Sequence, residues 1–371
     1  MVDIPIFPYT AVQLTGTMQR IPNVYGLLND LNLFPKRSIT SRIVEIRREN
    51  GVLSVLSAKE RGAPASVAAR NLGNSIYLEC PHFPFEDLIR PEDLQSMLQV
   101  TGPTAAPRTL PDEMARRLLN IRRHHAITLE WLRMSSLLGN ITDGDGNTIY
   151  NPYTVFGIAQ TTIDFLLGTA TTDVTSLVDQ LYATIQANLL GETMDGIEII
   201  ASPSWFNQFI SHPNVIKFFV NFEGKKNGET GGAAAQVSQE RVKRGGQWGR
   251  VFEYQGLTIR EYKGYAPVRV GGVLTTTPFM AANTAIAYPA GTQDMFATYF
   301  APANDIRYVN TPGEEIYISP EILDHGKGVS LLTESDPLPI CRRPEAVVLL
   351  QSSTSPAPAT PPMPVPGGLA A

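Results

Sequence analysis

The chain has 371 residues, 43% of them hydrophobic and 18% charged, enough apolar content for one large core or two moderate ones. Its formal net charge of −5 argues against an obligate nucleic-acid binder, whose affinity comes from excess Lys and Arg, and leaves room only for loose DNA contact. No apolar run approaches the roughly 20 residues of a bilayer span, and the start MVDIPIFPYT carries Asp3 and two prolines where a secretion signal needs a basic and then an apolar segment.

Residues 1–39 show little periodicity, with Pro5, Pro8, Pro22 and Pro35 interrupting regular structure, and read as an arm. From Thr40 to Ala58, Ile43, Glu45 and Arg47 alternate against Val44, Ile46 and Arg48; Val52, Ser54 and Leu56 follow an Asn50-Gly51 pair. Asn-Gly between β-rich runs predicts a type I′ hairpin turn, because both residues accept positive φ. The sides of this hairpin are mixed rather than cleanly apolar, so it needs a partner surface, which a second subunit would supply.

Residues 76–95 predict a strand, an extended proline-marked crossing and a helix start. TLPDEMARRLL opens the clearest helix: Thr109 can cap it, Pro111 suits its first turn, Asp112 and Glu113 complement its dipole, and Gly139 ends it. Met114, Leu118, Ile121, His125, Leu129 and Leu132 form one stripe; Ile127, Trp131, Met134 and Leu138 form a second in the later half. The helix is therefore half exposed and then buried, with Leu118, Trp131 and Leu132 at its core. About 27 residues at 1.5 Å each make a rod of about 40 Å.

A hairpin turning at Asp143 to Asn147 follows, then a helix over TSLVDQLYATIQANLL, then a strand and helix over GIEIIASPSWFNQFISHPNVIKFF. Residues 224–249, rich in Gly, Lys, Gln and Ala, read as an exposed loop. Strands resume at VFEYQGLTIREY and continue through AIAYPAGTQDMFATYFAPA to EEIYISPEILDHGKGVSLLTESDPLPICRRPEAVVLL. The tail from Thr354 is Pro-rich and expected to be disordered.

No catalytic or cofactor pattern is complete. In DGDGN, Thr148 and Thr154 occupy the positions where a calcium loop needs glycine and glutamate, so a turn is the better reading. His325-Gly326-Lys327-Gly328 has Glu321 in place of the first glycine of a phosphate loop and Gly328 in place of its Ser or Thr, and also reads as a turn. His124 and His125 are adjacent on a helix and cannot act as an i, i+4 metal pair; helix surface is their expected place. Glu86-Asp87, Glu92-Asp93 and Glu314-Glu315 read as solvated turns. Cys80 and Cys341 belong to no metal pattern and read as buried, reduced thiols. No catalytic, cofactor or metal residue is expected.

Three segments carry a resemblance. Cys80-Pro81-His82-Phe83-Pro84-Phe85-Glu86-Asp87-Leu88-Ile89 resembles a "PHxPxEDxI" crossing, TYFAPANDIRYVNTPGEEIYI resembles "yyAPAD…VNTPG…Y", and GKGVSLLTESDPLPICRRPEAVVLL resembles "GrGveL…SNPLPicxRPevLV". Their order and spacing, with a helix ending LEWLRMSSLLGN before a hairpin, are similar to the lambda-type phage major capsid protein E family over residues 1–353. Asp336 departs from the pattern, standing where asparagine is common.

The resemblance implies an α+β chain of the Hong Kong 97-like capsid fold. It divides into an N-terminal arm (1–39), an extended loop (40–80), a peripheral domain (81–170, with a spine helix at 111–139), an axial domain (171–299), a peripheral return (300–353) and the tail (354–371). It implies a major capsid protein of a tailed bacteriophage, not an enzyme, assembling through hexamers and pentamers around double-stranded DNA held by weak non-specific contact. Arg42, Glu45, Arg47, Arg48, Asn50 and Gly51 become the candidate inter-subunit residues. Implied partners are further copies, a portal protein and a decoration or scaffolding protein, with no membrane; the site is the virion capsid, assembled in host cytoplasm. The alternative is another virion component, such as a portal or tail protein. A hydrolase using an interdomain cleft is a further rival, requiring a polar cluster that the sequence does not show.

Overall fold

The computed structural model describes residues 9–48, 74–95, 98–100, 105–107, 110–189, 192–217, 243–245, 247–270 and 272–353. In chain order it runs α1 (Ala11–Arg20), α2 (Leu27–Asp30), β1 (Lys36–Ser38), β2 (Ile43–Arg48), β3 (Asn74–Glu79), β4 (Phe83–Ile89), α3 (Pro91–Gln95), β5 (Leu98–Val100), β6 (Ala105–Pro107) and α4 (Leu110–Leu138). Next come β7 (Ile141–Thr142), β8 (Thr148–Tyr150), α5 (Pro152–Phe156), β9 (Thr161–Asp164), α6 (Val174–Asn188), β10 (Gly196–Ala201), α7 (Pro203–Ser211), β11 (Lys243–Gly245), β12 (Gly249–Tyr254) and β13 (Leu257–Glu261). The remaining strands are β14 (Tyr265–Val270), β15 (Val273–Pro278), β16 (Thr284–Ala290), β17 (Phe296–Phe300), β18 (Tyr317–Ile322), β19 (Val329–Ser335), β20 (Pro337–Cys341) and β21 (Val348–Gln351), with short 3-10 turns at Ile306–Tyr308, Asp324–Gly326 and Pro344–Ala346.

The largest sheet has seven strands in the order β11-β12-β13-β10-β16-β21-β9. Its central strands are apolar on both faces, as a sheet covered on both sides requires. Ile197, Ile199 and Ala201 of β10 with Ala285 and Ala287 of β16 meet Val178, Leu181 and Ile185 of α6 and Trp205, Phe206 and Phe209 of α7. Ile200, Ile286 and Tyr288 face the other way, toward Leu28, Phe34, Met134 and Leu137. Asp173 caps α6 through Thr175 and Ser176, and Ser202 caps α7.

A three-stranded sheet, β18-β19-β4, carries α1 and the first half of α4 on one face, where Leu14 and Met18 meet Met114, Leu118, Ile121, Ile316, Ile318 and Leu331. Helix α4 thus serves two cores, one with each half of its length. At its end Gly139 takes φ +86 and the Asn140 amide donates to Ser135 O at 3.1 Å, closing the last turn. A Cβ at Gly139 would sit 2.0 Å from the Tyr153 ring.

Several expectations are corrected. The arm contains α1, which a capping box between Thr10 and Gln13 starts and which buries Leu14 and Met18; four prolines obscured a T-x-x-Q signal. Ile43–Arg48 pair with Asn74–Glu79, in register Ile43↔Glu79 to Arg48↔Asn74, a partner that was not expected, while the expected partner at 52–56 lies outside the described residues. The predicted Asn50-Gly51 turn lies outside the described residues, as does the tail. The 224–249 segment includes β11 and the start of β12, which pair with each other. Trp131 is only half-buried: its Nε1–H donates to Thr142 O at 3.1 Å and its ring packs 5.9 Å from Phe279, whereas Leu118 and Leu132 are buried as expected. His125 is buried rather than at the helix surface, and His124 stacks on Phe85 at 5.0 Å. Asp87, Glu315 and Glu314 are ion-paired with Arg117, Arg122 and Lys36 rather than merely solvated. The seven-stranded sheet draws β9 and β21 from outside residues 171–299, because each runs beside the other and β21 pairs with β16.

Candidate functional site at the neck of the hairpin

Strands β2 and β3 form a two-stranded hairpin that stands on the sheet β1-β17-β20. Strand alternation splits its surface. Val44, Ile46 and Leu78 are buried against Phe156, Tyr299, Leu338 and Ile340, while Ile43 is 54% and Tyr77 66% exposed on the outer face. The apparent mixture in the sequence is therefore one inward and one outward face, and the base of the hairpin belongs to this subunit's own core.

The necks joining hairpin to body bring the three family-like segments together. Cys80 and His82 from the first, residues 302–306 with Val309 and Asn310 from the second and Asp336 from the third line a cleft of about 560 Å³ with Thr40 and Arg42. His82 Nδ1 lies 2.7 Å from Asp336 Oδ1. Burial raises the Asp336 carboxyl above the usual range, opposed by the His82 hydrogen bond. The buried Cys80 thiol is pushed up to about 12, first by burial and then by the Asp336 charge, so no thiolate stands beside the His–Asp pair at neutral pH. On the far wall Asp305 caps the Ile306–Tyr308 turn and is held down to about 2 by its hydrogen bond from Arg307. That turn presents Ile306 at 89% and Val309 at 59% exposure.

The wall is rigidly built. Asn310 adopts φ 59, and a Cβ on Gly313 would lie 2.0 Å from Phe300 O, so the glycine lets the loop return against β17. Its amide donates to Ile39 O at 2.9 Å. Tyr317 packs 4.6 Å from Tyr308 and its hydroxyl accepts from the Glu314 amide at 2.8 Å.

Of the predicted inter-subunit residues, Arg42 lines the cleft and pairs with Glu79, and Glu45 is exposed on β2. Arg47 and Arg48 end β2, while Asn50 and Gly51 lie outside the described residues. His82, Asp336, Ile306 and Val309 were not singled out as site residues; the signal available was their placement inside the three recognisable segments. Among the described residues no group of His, Cys, Asp and Glu could hold a metal, and no helix is long and apolar enough to cross a membrane.

The major capsid protein of Pseudomonas phage KPP10 is 29% identical over 351 residues, covering 92% of this chain and 96% of that protein. The major capsid protein of Salmonella phage Felix O1 is 25% identical over 353 residues, covering 90% and 94%. Among solved structures, a capsid protein described from an Escherichia coli CFT073 prophage aligns with TM-score 0.59 at 14% identity over 93% of this chain and 99% of that one. A phage-related protein from Bordetella bronchiseptica RB50 aligns with TM-score 0.51 at 13% identity, over 93% and 97%. With the model of phage major capsid protein E matching residues 10–352, the chain belongs to the phage major capsid protein E family.

Proposed function

We propose that this capsid protein builds a closed icosahedral shell of hexamers and pentamers through the outer face of the β2–β3 hairpin and the Ile306–Val309 turn, and that it encloses double-stranded DNA without catalysing a reaction. The observation that carries the reading is the exposure of Ile306 and Val309 on the cleft wall and of Ile43 and Tyr77 on the outer face of the β2–β3 hairpin. Large apolar side chains left this exposed on a well-packed subunit are suited to surfaces that neighbours cover. The Hong Kong 97-like division into arm, extended loop, peripheral and axial parts is retained, with β9 and β21 assigned to the axial sheet. Net charge −5 keeps contact with packaged DNA loose, which suits a container. Portal and decoration or scaffolding proteins complete the proposed partners, and assembly in the host cytoplasm the proposed setting.

Electron microscopy and sedimentation of the purified chain test this. Closed shells or capsomer rings are expected from the wild type. Ile306→Asp with Val309→Asp should leave the melting temperature within about 2 °C, as for exposed positions, while shells disappear. Unchanged shell yield in the double variant would remove this surface from the interface.

A further inference from the structure

The β14–β15 hairpin is held to the body along β14 and left bare along β15. Ala266 and Val268 of β14 are buried, the Phe279 amide donates to Gly264 O at 3.1 Å, and the Tyr25 hydroxyl donates to Tyr265 O at 3.1 Å. The Arg269 amide donates to Gly144 O at 2.8 Å, away from β15, so Arg269↔Leu274 is a non-hydrogen-bonded pair of the ladder. Alternation fixes the rest. Val268↔Thr275 and Ala266↔Thr277 exchange hydrogen bonds, while the amides and carbonyls of Leu274 and Thr276 point out from the far edge, where no described group meets them. Pro267 and Pro278 sit at positions where a missing amide costs this ladder nothing. From Val273 to Thr276 every residue of β15 is exposed, Val273 and Leu274 at 67% each.

Free edges are where strands of other chains add, and folded proteins block them with charges or prolines. The strands that end the larger described sheets follow this rule: Lys36 lies in β1, Pro339 in β20, Arg244 in β11, Asp164 in β9, Glu321 in β18 and Glu86 in β4. Strand β15 departs from it, with no charge between Val273 and Pro278 and its one proline at the last position. We propose that the β15 edges of two copies pair antiparallel about a two-fold axis at Thr275. An uncharged strand gains nothing from a nucleic acid or a charged peptide, and of the edges named, only a second β15 meets it without setting a charge or a proline inside the new ladder. In this register Leu274 faces Thr276 of the partner subunit and each such pair exchanges two main-chain hydrogen bonds, while Pro278 ends the ladder. Thr275 meets its own copy as a non-hydrogen-bonded pair. The contact lies outside the surface proposed above and rests on that reading only for its place in a shell: neighbours within a ring meet head to tail, so a two-fold contact joins one ring to the next.

Thr275→Cys in the purified full-length chain, free or assembled, tests this register. The Cα atoms of such a pair stand about 4.5 Å apart, within reach of a disulfide, so mild oxidation should give covalent dimers. Cys80 and Cys341 are buried, and Val12→Cys, at a position 66% exposed on α1, controls for random collision. Adding Thr276→Pro removes an amide that only the ladder between copies uses. The double variant should therefore keep the melting temperature of Thr275→Cys and lose its dimers. Dimers no more abundant than from Val12→Cys, or undiminished in a folded Thr276→Pro chain, would overturn the proposal. So would Leu274→Cys crosslinking as readily as Thr275→Cys, since the register sets Leu274 opposite Thr276 and not opposite its own copy. Crosslinking and particle formation are separate readouts: dimers from a chain that builds no shells would sink the proposed function alone, and shells without dimers this inference alone.

Discussion

Glu130 of α4 joins three parts of the chain through one carboxyl group. Its Oε1 accepts from the Leu28 amide and the Tyr262 hydroxyl, both at 2.9 Å, while its buried Oε2 has no hydrogen-bond partner. Burial raises its pKa, outweighing those hydrogen bonds and the nearby charge of Arg133. Gly26 closes over it with φ +111, and a Cβ there would lie 2.2 Å from Oε2. Gly26→Ala should therefore cost about 2–4 kcal/mol in denaturant unfolding, because it combines a strained backbone with displacement of a buried polar group. His125 offers a pH test. Burial first, then Arg122 and His124, lower it from 6.5 to about 4, and its Nε2 lies 3.0 Å from Thr333 Oγ1. Between those values the unfolded chain binds more protons than the folded one, so this group's stabilisation is full above about pH 6.5 and is lost as pH falls toward about 4. At 1.36 kcal/mol per pH unit the loss reaches about 3 kcal/mol. His125→Gln should flatten that part of the stability curve; an unchanged slope between wild type and variant would show that other groups produce it.

Among elements, α4 and the β2–β3 hairpin show how a stripe seen in sequence differs from a buried face. Leu132 is fully buried and Leu132→Ala should cost about 2–5 kcal/mol, as a cavity at that site cannot collapse freely. Trp131 lies over the β7–β8 hairpin, half-buried, with its indole N–H satisfied by Thr142. Trp131→Ala should cost less than Leu132→Ala per atom removed, and thermal unfolding of the two variants side by side checks the order. Charge was the larger surprise. Glu113, Glu130, Arg122 and Arg133 are all buried on α4, and Glu113 accepts from both Arg116 and Arg117 while Arg117 reaches Asp87 and Asp93. From the sequence only Glu113 was given a role, beside the helix dipole. For the hairpin, removing its inward side chains should destabilise the subunit itself: Val44→Ala with Ile46→Ala should lose about 2–5 kcal/mol, because both are 4% exposed in the core beneath β2. A melting temperature equal to wild type would mean that the hairpin base does not pack on its own body.

At the scale of the whole molecule, the last strand closes the largest sheet. β21 lies between β16 and β9, and Ser353 donates its amide to Asp164 at 3.1 Å. Stopping the chain after Ser353 should preserve folding and shell formation, since Thr354 onward carries little apolar surface to bury. Removing Leu338 to Leu350 should abolish soluble protein. Sedimentation of both truncations checks the contrast.

Much of this was legible from local chemistry. The long helix and its Gly139 stop, the Asp143–Asn147 turn, α6, α7 and most strands follow from periodicity, capping residues and turn formers, which act over a few neighbours in the chain. The three family-like segments were readable for the same reason, as short strings of residue types in order. What tertiary structure alone decided was which distant segments meet. The pairing of β2 with β3 and of β21 with β9, the burial of Glu130 and Arg133, and the contact of His82 with Asp336 across 254 positions depend on long-range packing and desolvation, which no local period encodes.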